Sequence, residues 1–160
     1  MKREQRGIHL VEFAITGSLF LLVMFSVLEF GRWLWVWNTL SEGTRRGVRL
    51  AAVSCPGTGI ASIKNVTLGK RADGTGAAPL PDLTLNNVCV QYTDAAGGTA
   101  CTVPPTQVSV SIINYRINLA IPIPGFNRTR SAPSFISTLP VESLGAEVSG
   151  CTAVCGSACP

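Results

Sequence analysis

An α+β protein, with one long N-terminal transmembrane helix continuing into a small extracytoplasmic domain that carries a short antiparallel β-sheet, is what this 160-residue sequence predicts. Three observations carry the expectation: an almost purely apolar run over residues 8–30, β-branched stretches at 83–92 and 107–121, and six cysteines that all lie C-terminal to the run. Charged residues make up 14% of the chain, below the usual quarter, and the apolar excess sits in the first third. The division expected is a short basic tail at 1–7, a transmembrane helix at 8–30, an extramembrane helical extension at 31–54 and a small disulfide-stabilised β-rich domain at 55–160.

Residues 8–30 hold only three strongly polar side chains, His9, Glu12 and Glu29. At about 1.5 Å per residue the segment extends roughly 35 Å as a helix, enough to cross a hydrocarbon core of about 30 Å. A cleaved secretory signal would need a shorter apolar core followed by small residues in an A-x-A-like pattern. Here the run continues into Gly31, Arg32 and the tryptophans Trp33, Trp35 and Trp37, so an uncleaved anchor is expected. At helical spacing Trp33 and Trp37 share one face while Trp35 points away, which suits a belt at a membrane interface. Lys2, Arg3 and Arg6 favour a cytoplasmic N-terminus, although Arg32, Arg45, Arg46 and Arg49 follow the span and weaken that count.

Glu12 is the anomaly of the span. A carboxylate inside an apolar segment is costly and is usually retained for a partner or a task. The alternative is a side chain that snorkels back to the cytoplasmic interface.

The helix is expected to continue past the tryptophans. Glu42 and Arg46 have the favourable i, i+4 order, Glu29 and Arg32 lie within one turn, and Leu40, Val48, Ala51 and Ala52 can cover an apolar stripe. Cys55-Pro56-Gly57 should end it, because a proline disfavours helix in the residue before it. The whole rod from Ile8 to Val53 would be roughly 69 Å long. Gly43 and Gly47 form a small-xxx-small pair that either admits another helix or merely frays this one.

Beyond the rod, 60–68 reads as a helical or strand segment and 69–81 as a loop rich in Gly, Ala and Pro. The stretches 83–92 and 107–121 are the strongest strands, β-branched and bounded by turn residues. In the second, apolar positions run Val108, Val110, Ile112 and then shift phase to Ile113, Tyr115, Ile117, Leu119 and Ile121, for which a bulge near Ile112 would account. Residues 122–140 read as an irregular, proline-punctuated connection and 141–148 as a returning third strand. No internal repeat is visible.

The six cysteines are Cys55, Cys89, Cys101, Cys151, Cys155 and Cys159. An even number on one side of the span points to disulfides in an oxidising compartment. Cys89 and Cys101 flank a natural reversal at 93–99, so that pair is the expected bridge, worth about 3 kcal/mol in the chain-entropy account. The pairing of the other four stays open. A zinc site would have to be built from the terminal C-x3-C-x3-C without a histidine, since the only one, His9, sits at the membrane.

Nothing points to catalysis. The chain offers no His-based triad, no Gly-rich phosphate loop and no paired carboxylates at a suggestive spacing, so neither an enzyme nor a cofactor is expected. The net charge of +4 falls to +2 without residues 1–7, which carry Lys2, Arg3 and Arg6 against Glu4, and that is too little to argue for nucleic acid. The sequons at Asn65 and Asn127 are short enough to occur by chance.

With Gly7 directly before Ile8, Glu12 is the fifth residue of a chain cut after that glycine. The arrangement resembles the class III signal of type IV pilins, in which a prepilin peptidase cuts after the glycine on the cytoplasmic face. In such families the new N-terminus is methylated and the glutamate pairs with a neighbouring subunit's amine. The stretches L-V-E-F-A (10–14), E-F-G-R (29–32), T-R-R-G-V-R-L-A-A (44–52) and P-S-F-I-S-T-L-P-V-E-S-L-G (133–145) are similar to the TadE-like family of minor pilins or pseudopilins of Flp/Tad pili. Ile8 followed by His9 departs from the usual residues after the cut.

That resemblance implies a cytoplasmic leader at 1–7, a single-pass inner-membrane protein with a periplasmic C-terminal domain, and incorporation into an extracellular pilus. Its implied partners are other pilin or pseudopilin subunits, the prepilin peptidase, the Tad inner-membrane assembly platform and the lipid bilayer. Two further readings come from the residues alone: an uncleaved membrane-anchored adhesive or binding domain, and a cysteine-redox or metal-binding protein.

Overall fold

The computed structural model describes residues 5–56, 59–94, 96–98, 105–119, 129–141 and 159. Helix α1 runs unbroken over Gln5–Val53. Its first half is bare: from Ile8 to Leu28 the large apolar side chains are exposed, and the segment is a candidate membrane span by length and composition. Its second half is covered on one side. Val36, Leu40, Thr44, Val48 and Ala51 recur at helical spacing and are all buried, so a single stripe of α1 forms one wall of the core. The helix stops where Cys55 precedes Pro56; Ser54 N–H reaches back to the Ala51 carbonyl (3.3 Å) and its hydroxyl donates to that of Leu50 (2.7 Å).

Gly59, with φ 69°, turns the chain into α2 (Ile60–Thr67). The ambiguous segment at 60–68 is therefore a helix, with Ile63 and Thr67 buried against α1. Gly43 and Gly47 are what let it come so close. A Cβ on Gly43 would run into the Thr67 carbonyl oxygen, and one on Gly47 into the Thr67 hydroxyl. The small-xxx-small pair thus serves this chain's own second helix.

Three antiparallel strands, β1 (Val88–Thr93), β2 (Gln107–Ile112) and the edge strand β5 (Phe135–Pro140), form a sheet in the order β1-β2-β5. The register sets Val110 opposite both Val90 and Ser137. Because side chains alternate, Val88, Val90, Tyr92, Val108, Val110 and Ile112 share the face turned to α1 and α2 and are buried. Fully burying each such aliphatic side chain contributes about 1.5–3 kcal/mol, so this helix-on-sheet layer is the domain's main source of stability. A second, two-stranded sheet pairs β3 (Arg116–Asn118) with β4 (Thr129–Ser131).

Several expectations are corrected. The stretch 83–92 becomes strand only at Val88, because Leu85–Asn87 form a 3-10 turn in which Asn87 Oδ1 accepts from Thr84 N–H (3.0 Å) and Thr84 Oγ1 (2.9 Å). The phase shift after Ile112 is a break rather than a bulge: Asn114 takes φ 56° and hands the chain from the first sheet to the second. The third strand of the main sheet is β5, within the stretch read as irregular; Pro133 and Pro140 lie outside it or at its exposed end, where no ladder bond is lost. The strand expected at 141–148 lies, beyond Val141, outside the described residues.

Cys89 is joined to Cys159 across a sequence separation of 70, not to Cys101. Cys89 lies inside β1 opposite Ser111, four residues before the strand ends at Thr93, and its thiol is already taken by Cys159. Cys55 is also disulfide-bonded. Cys101, Cys151 and Cys155 lie outside the described residues.

Candidate functional site

Gly7 and Ile8 sit in the opening turns of α1 and both are exposed. Around Gly7 a Cβ would meet nothing within 4 Å, so no other part of the described fold packs on the helix at that point. Glu12 lies roughly 7.5 Å further along the axis. Its side chain is 74% exposed among the apolar side chains of Ile8, Leu10, Val11, Phe13 and Ile15. The one group near its carboxylate among the described residues is His9, whose Nδ1 stands 3.7 Å from Oε2 one turn back. An unburied carboxylate in an apolar segment is a poor passenger and a good docking point, because a cation brought beside it in lipid removes a cost that either charge would bear alone.

The tryptophans divide between two tasks. Trp33 packs against the core and Trp37 meets Phe135 of β5 edge to face, with ring centroids 4.8 Å apart. Trp35, on the other side of α1, is 51% exposed. The folded domain therefore reaches down α1 to the level of Trp33, which the expectation of a belt alone did not contain. One residue lower, Arg32 Nη1 donates to the Asn118 carbonyl of β3 (2.8 Å) and to Glu29 Oε1 (3.4 Å), tying the small sheet to the top of the apolar segment. The E-F-G-R stretch held that signal as a charge pair, but its partner 86 positions away left no trace in the sequence.

Further up, Glu42 and Arg46 pair on the exposed face at 2.9 Å, and the hydrogen bond from Arg46 holds the Glu42 carboxyl below its ordinary range. The Asp73 carboxyl is likewise lowered, by the Thr75 hydroxyl and N–H that donate to it in a tight turn. Burial pushes the Tyr92 phenol up; its hydroxyl donates to the Ala51 carbonyl at 3.2 Å and so clamps β1 to the end of α1. Among the described residues no group of three or more His, Cys, Asp or Glu side chains is placed to hold a metal ion, and the cysteines described there are bridged.

What the arrangement presents chemically is a bare apolar rod with one carboxylate near its start, and a domain fastened along its far half. Comparison with known families bears on that rod. Residues 7–49 match the family described as TadE-like protein. The match begins at Gly7 and takes in Glu12, the three tryptophans and the Gly43–Gly47 face, while the sheet lies beyond it. No curated protein and no solved structure matches the chain.

Proposed function

We propose that this chain is a minor pilin or pseudopilin that takes part in assembly of a Flp/Tad-type pilus. In this reading a prepilin peptidase cuts between Gly7 and Ile8, and Glu12 of the released chain meets the N-terminal amine of a neighbouring subunit. The TadE-like match over 7–49 supports a Tad-pilus-associated protein with pilus components as partners. The finer role rests on one observation: the bare segment of α1 carries an exposed carboxylate at the fifth position after an exposed glycine.

The apolar side chains of 8–28 need either lipid or other helices around them, since the domain covers none of the candidate span. In a bundle of such rods, a carboxylate that must find a counter-charge favours one axial offset over its neighbours and so sets a register. The domain above α1 faces outward, with disulfides at Cys55, Cys89 and Cys159 suited to an oxidising periplasm. The subunit needs no catalytic residues or cofactor for this role.

A second reading is favoured by the His9–Glu12 contact. If that imidazole serves as the local partner, the chain is an uncleaved membrane-anchored binding domain whose glutamate needs no neighbour. Mass spectrometry of the N-terminus from native membranes separates the two. A mature chain beginning at Ile8, and retention of Met1 to Gly7 in cells lacking the peptidase, is the expected result; a chain that still carries residues 1–7 where the peptidase is active would overturn the pilin reading.

A further inference from the structure

We infer that the membrane-inserted chain holds the headgroup of a zwitterionic phospholipid with a primary ammonium, of the phosphoethanolamine class, in a cleft of about 140 Å³ between α1 and β3. The inference rests on reading 8–30 as a membrane span. Arg32, Trp35, Asp82, Tyr115 and Arg116 line the cleft. Its depth is what selects a lipid. Arg32 stands roughly 36 Å up the helix from Ile8, just past a hydrocarbon core of about 30 Å, so the cleft opens in the headgroup layer.

The charges in the cleft match both ends of such a headgroup. Arg32 is fixed by the two bonds from its Nη1 to Asn118 and Glu29, and its remaining N–H groups have no protein partner among the described residues. The side chain of Arg116, exposed on β3, makes no hydrogen bond or ion pair among the described residues. Two arginines among the residues that line one opening suit a phosphodiester, which accepts planar N–H pairs. Asp82, held at φ 62° next to Pro81, brings a carboxylate that forms no salt bridge among the described residues. Asp82 and Arg32 both lie close enough to the Tyr115 phenol to act on it in opposite senses, so a negative and a positive charge both stand near one hydroxyl of the cleft. That hydroxyl donates to the Pro81 carbonyl (3.1 Å), fixing the loop that carries Asp82.

A phosphate alone would leave Asp82 unpaired beside it. A quaternary ammonium has no N–H to give the carboxylate, and a glycerol headgroup has no positive charge. A primary ammonium answers Asp82 while its phosphate answers the arginines. The half-exposed Trp35 ring completes the site as an amphipathic wall of the kind found at headgroup depth. The cleft is well below the roughly 300 Å³ at which drug-sized sites begin, so it takes a headgroup and leaves the acyl chains in the bilayer.

The test uses the full-length chain in nanodiscs of phosphatidylethanolamine, phosphatidylglycerol and phosphatidylcholine in equal parts, with retained lipid read by native mass spectrometry. Phosphatidylethanolamine should be enriched over both others. Asp82→Asn should erase its advantage over phosphatidylcholine, and Arg116→Gln should lower retention of all three by about three- to fivefold, as expected for a partly exposed charge contact. Arg116→Lys should fall between. Equal retention of the three lipids by the wild-type chain, or unchanged retention in both variants, would overturn the assignment; so would equally good binding of inorganic phosphate in detergent with no lipid preference. Carbonate extraction keeps the two readings apart: a chain released from membranes sinks the span itself, whereas an embedded chain without lipid preference sinks only the headgroup site.

Discussion

Gly47 of α1 and Thr67 of α2 are packed so closely that a Cβ on the glycine would occupy the place of the threonine hydroxyl, and would lie 3.1 Å from its Cβ. Thr67 Oγ1 cannot simply swing aside, because it is bound to the Ile63 carbonyl at 2.8 Å inside the core. Val110 Cγ1 of β2, 3.3 Å from the same point, closes the other side. Helix, helix and sheet therefore meet at a position that only a hydrogen atom fits.

Gly47→Ala should destabilise the domain by about 1–3 kcal/mol, the cost of overpacking, even though alanine is the better helix former by about 1 kcal/mol. Gly31→Ala is the control, since nothing lies within 4 Å of a Cβ there. Gly47→Ala combined with Thr67→Ala should recover part of the loss, because the colliding hydroxyl is gone. Denaturant unfolding of the full chain in detergent measures all three. Identical midpoints for Gly31→Ala and Gly47→Ala would show that the contact is not tight.

Cys159→Ser should free the Cys89 thiol and cost about 4 kcal/mol in the chain-entropy account, for a loop closed over a separation of 70 residues. Cys101→Ser should leave the Cys89–Cys159 bridge in place. Non-reducing peptide mapping of the wild-type chain provides the direct check, and a peptide joining Cys89 to Cys101 would refute the connectivity.

Tyr92 makes the domain sensitive to alkali. Its phenol is raised above the ordinary value of 10.0 by burial, so the unfolded chain loses that proton at lower pH than the folded one. The neutral phenol's contribution is fully present below about pH 10 and is lost as pH climbs through the folded value. Tyr92→Phe should cost about 0.5–1.5 kcal/mol at neutral pH, through the lost bond to Ala51, and flatten the decline above pH 10. An alkaline unfolding curve of the same steepness in Tyr92→Phe would place the sensitivity elsewhere.

The parts of this fold that the sequence made legible are those set by local periodicity. The rod was readable because Ile8 to Phe30 leaves a helix no polar face and because Pro56 forbids its continuation; Val108, Val110 and Ile112 alternate too cleanly for anything but a strand. What escaped was set by partners far along the chain. Thr67 gives no hint that it will fill the space above Gly47, and Cys89 is far closer in sequence to Cys101 than to Cys159, with which it is bridged. The edge strand β5 was hidden by the prolines that bracket it, since an edge position tolerates residues a central strand does not. Of the candidate site, Gly7 and Glu12 were visible as a spacing, whereas the Arg32–Asn118 tie needed the fold to bring its ends together.

Glu12→Ala tests the assembly role most directly. Cutting and membrane insertion should survive, because the Gly7-Ile8 bond is unchanged and the segment becomes more apolar. Assembly should fail, since a neighbour's buried amine would lose its counter-charge, a penalty of about 3–5 kcal/mol for a broken buried pair. Glu12→Gln should be intermediate, because an amide accepts a hydrogen bond but brings no charge. His9→Ala separates the intersubunit role from the local one. Its imidazole lies 3.7 Å from Glu12 with both side chains largely exposed, so losing it should leave assembly near the wild-type level if the amine of another subunit is the true partner. The measurements are pilus formation, co-purification of partner pilins and the N-terminal mass. Normal pili and partner recovery in Glu12→Ala cells, or the same assembly defect in His9→Ala as in Glu12→Ala, would show that the carboxylate answers to its own helix and not to a neighbour.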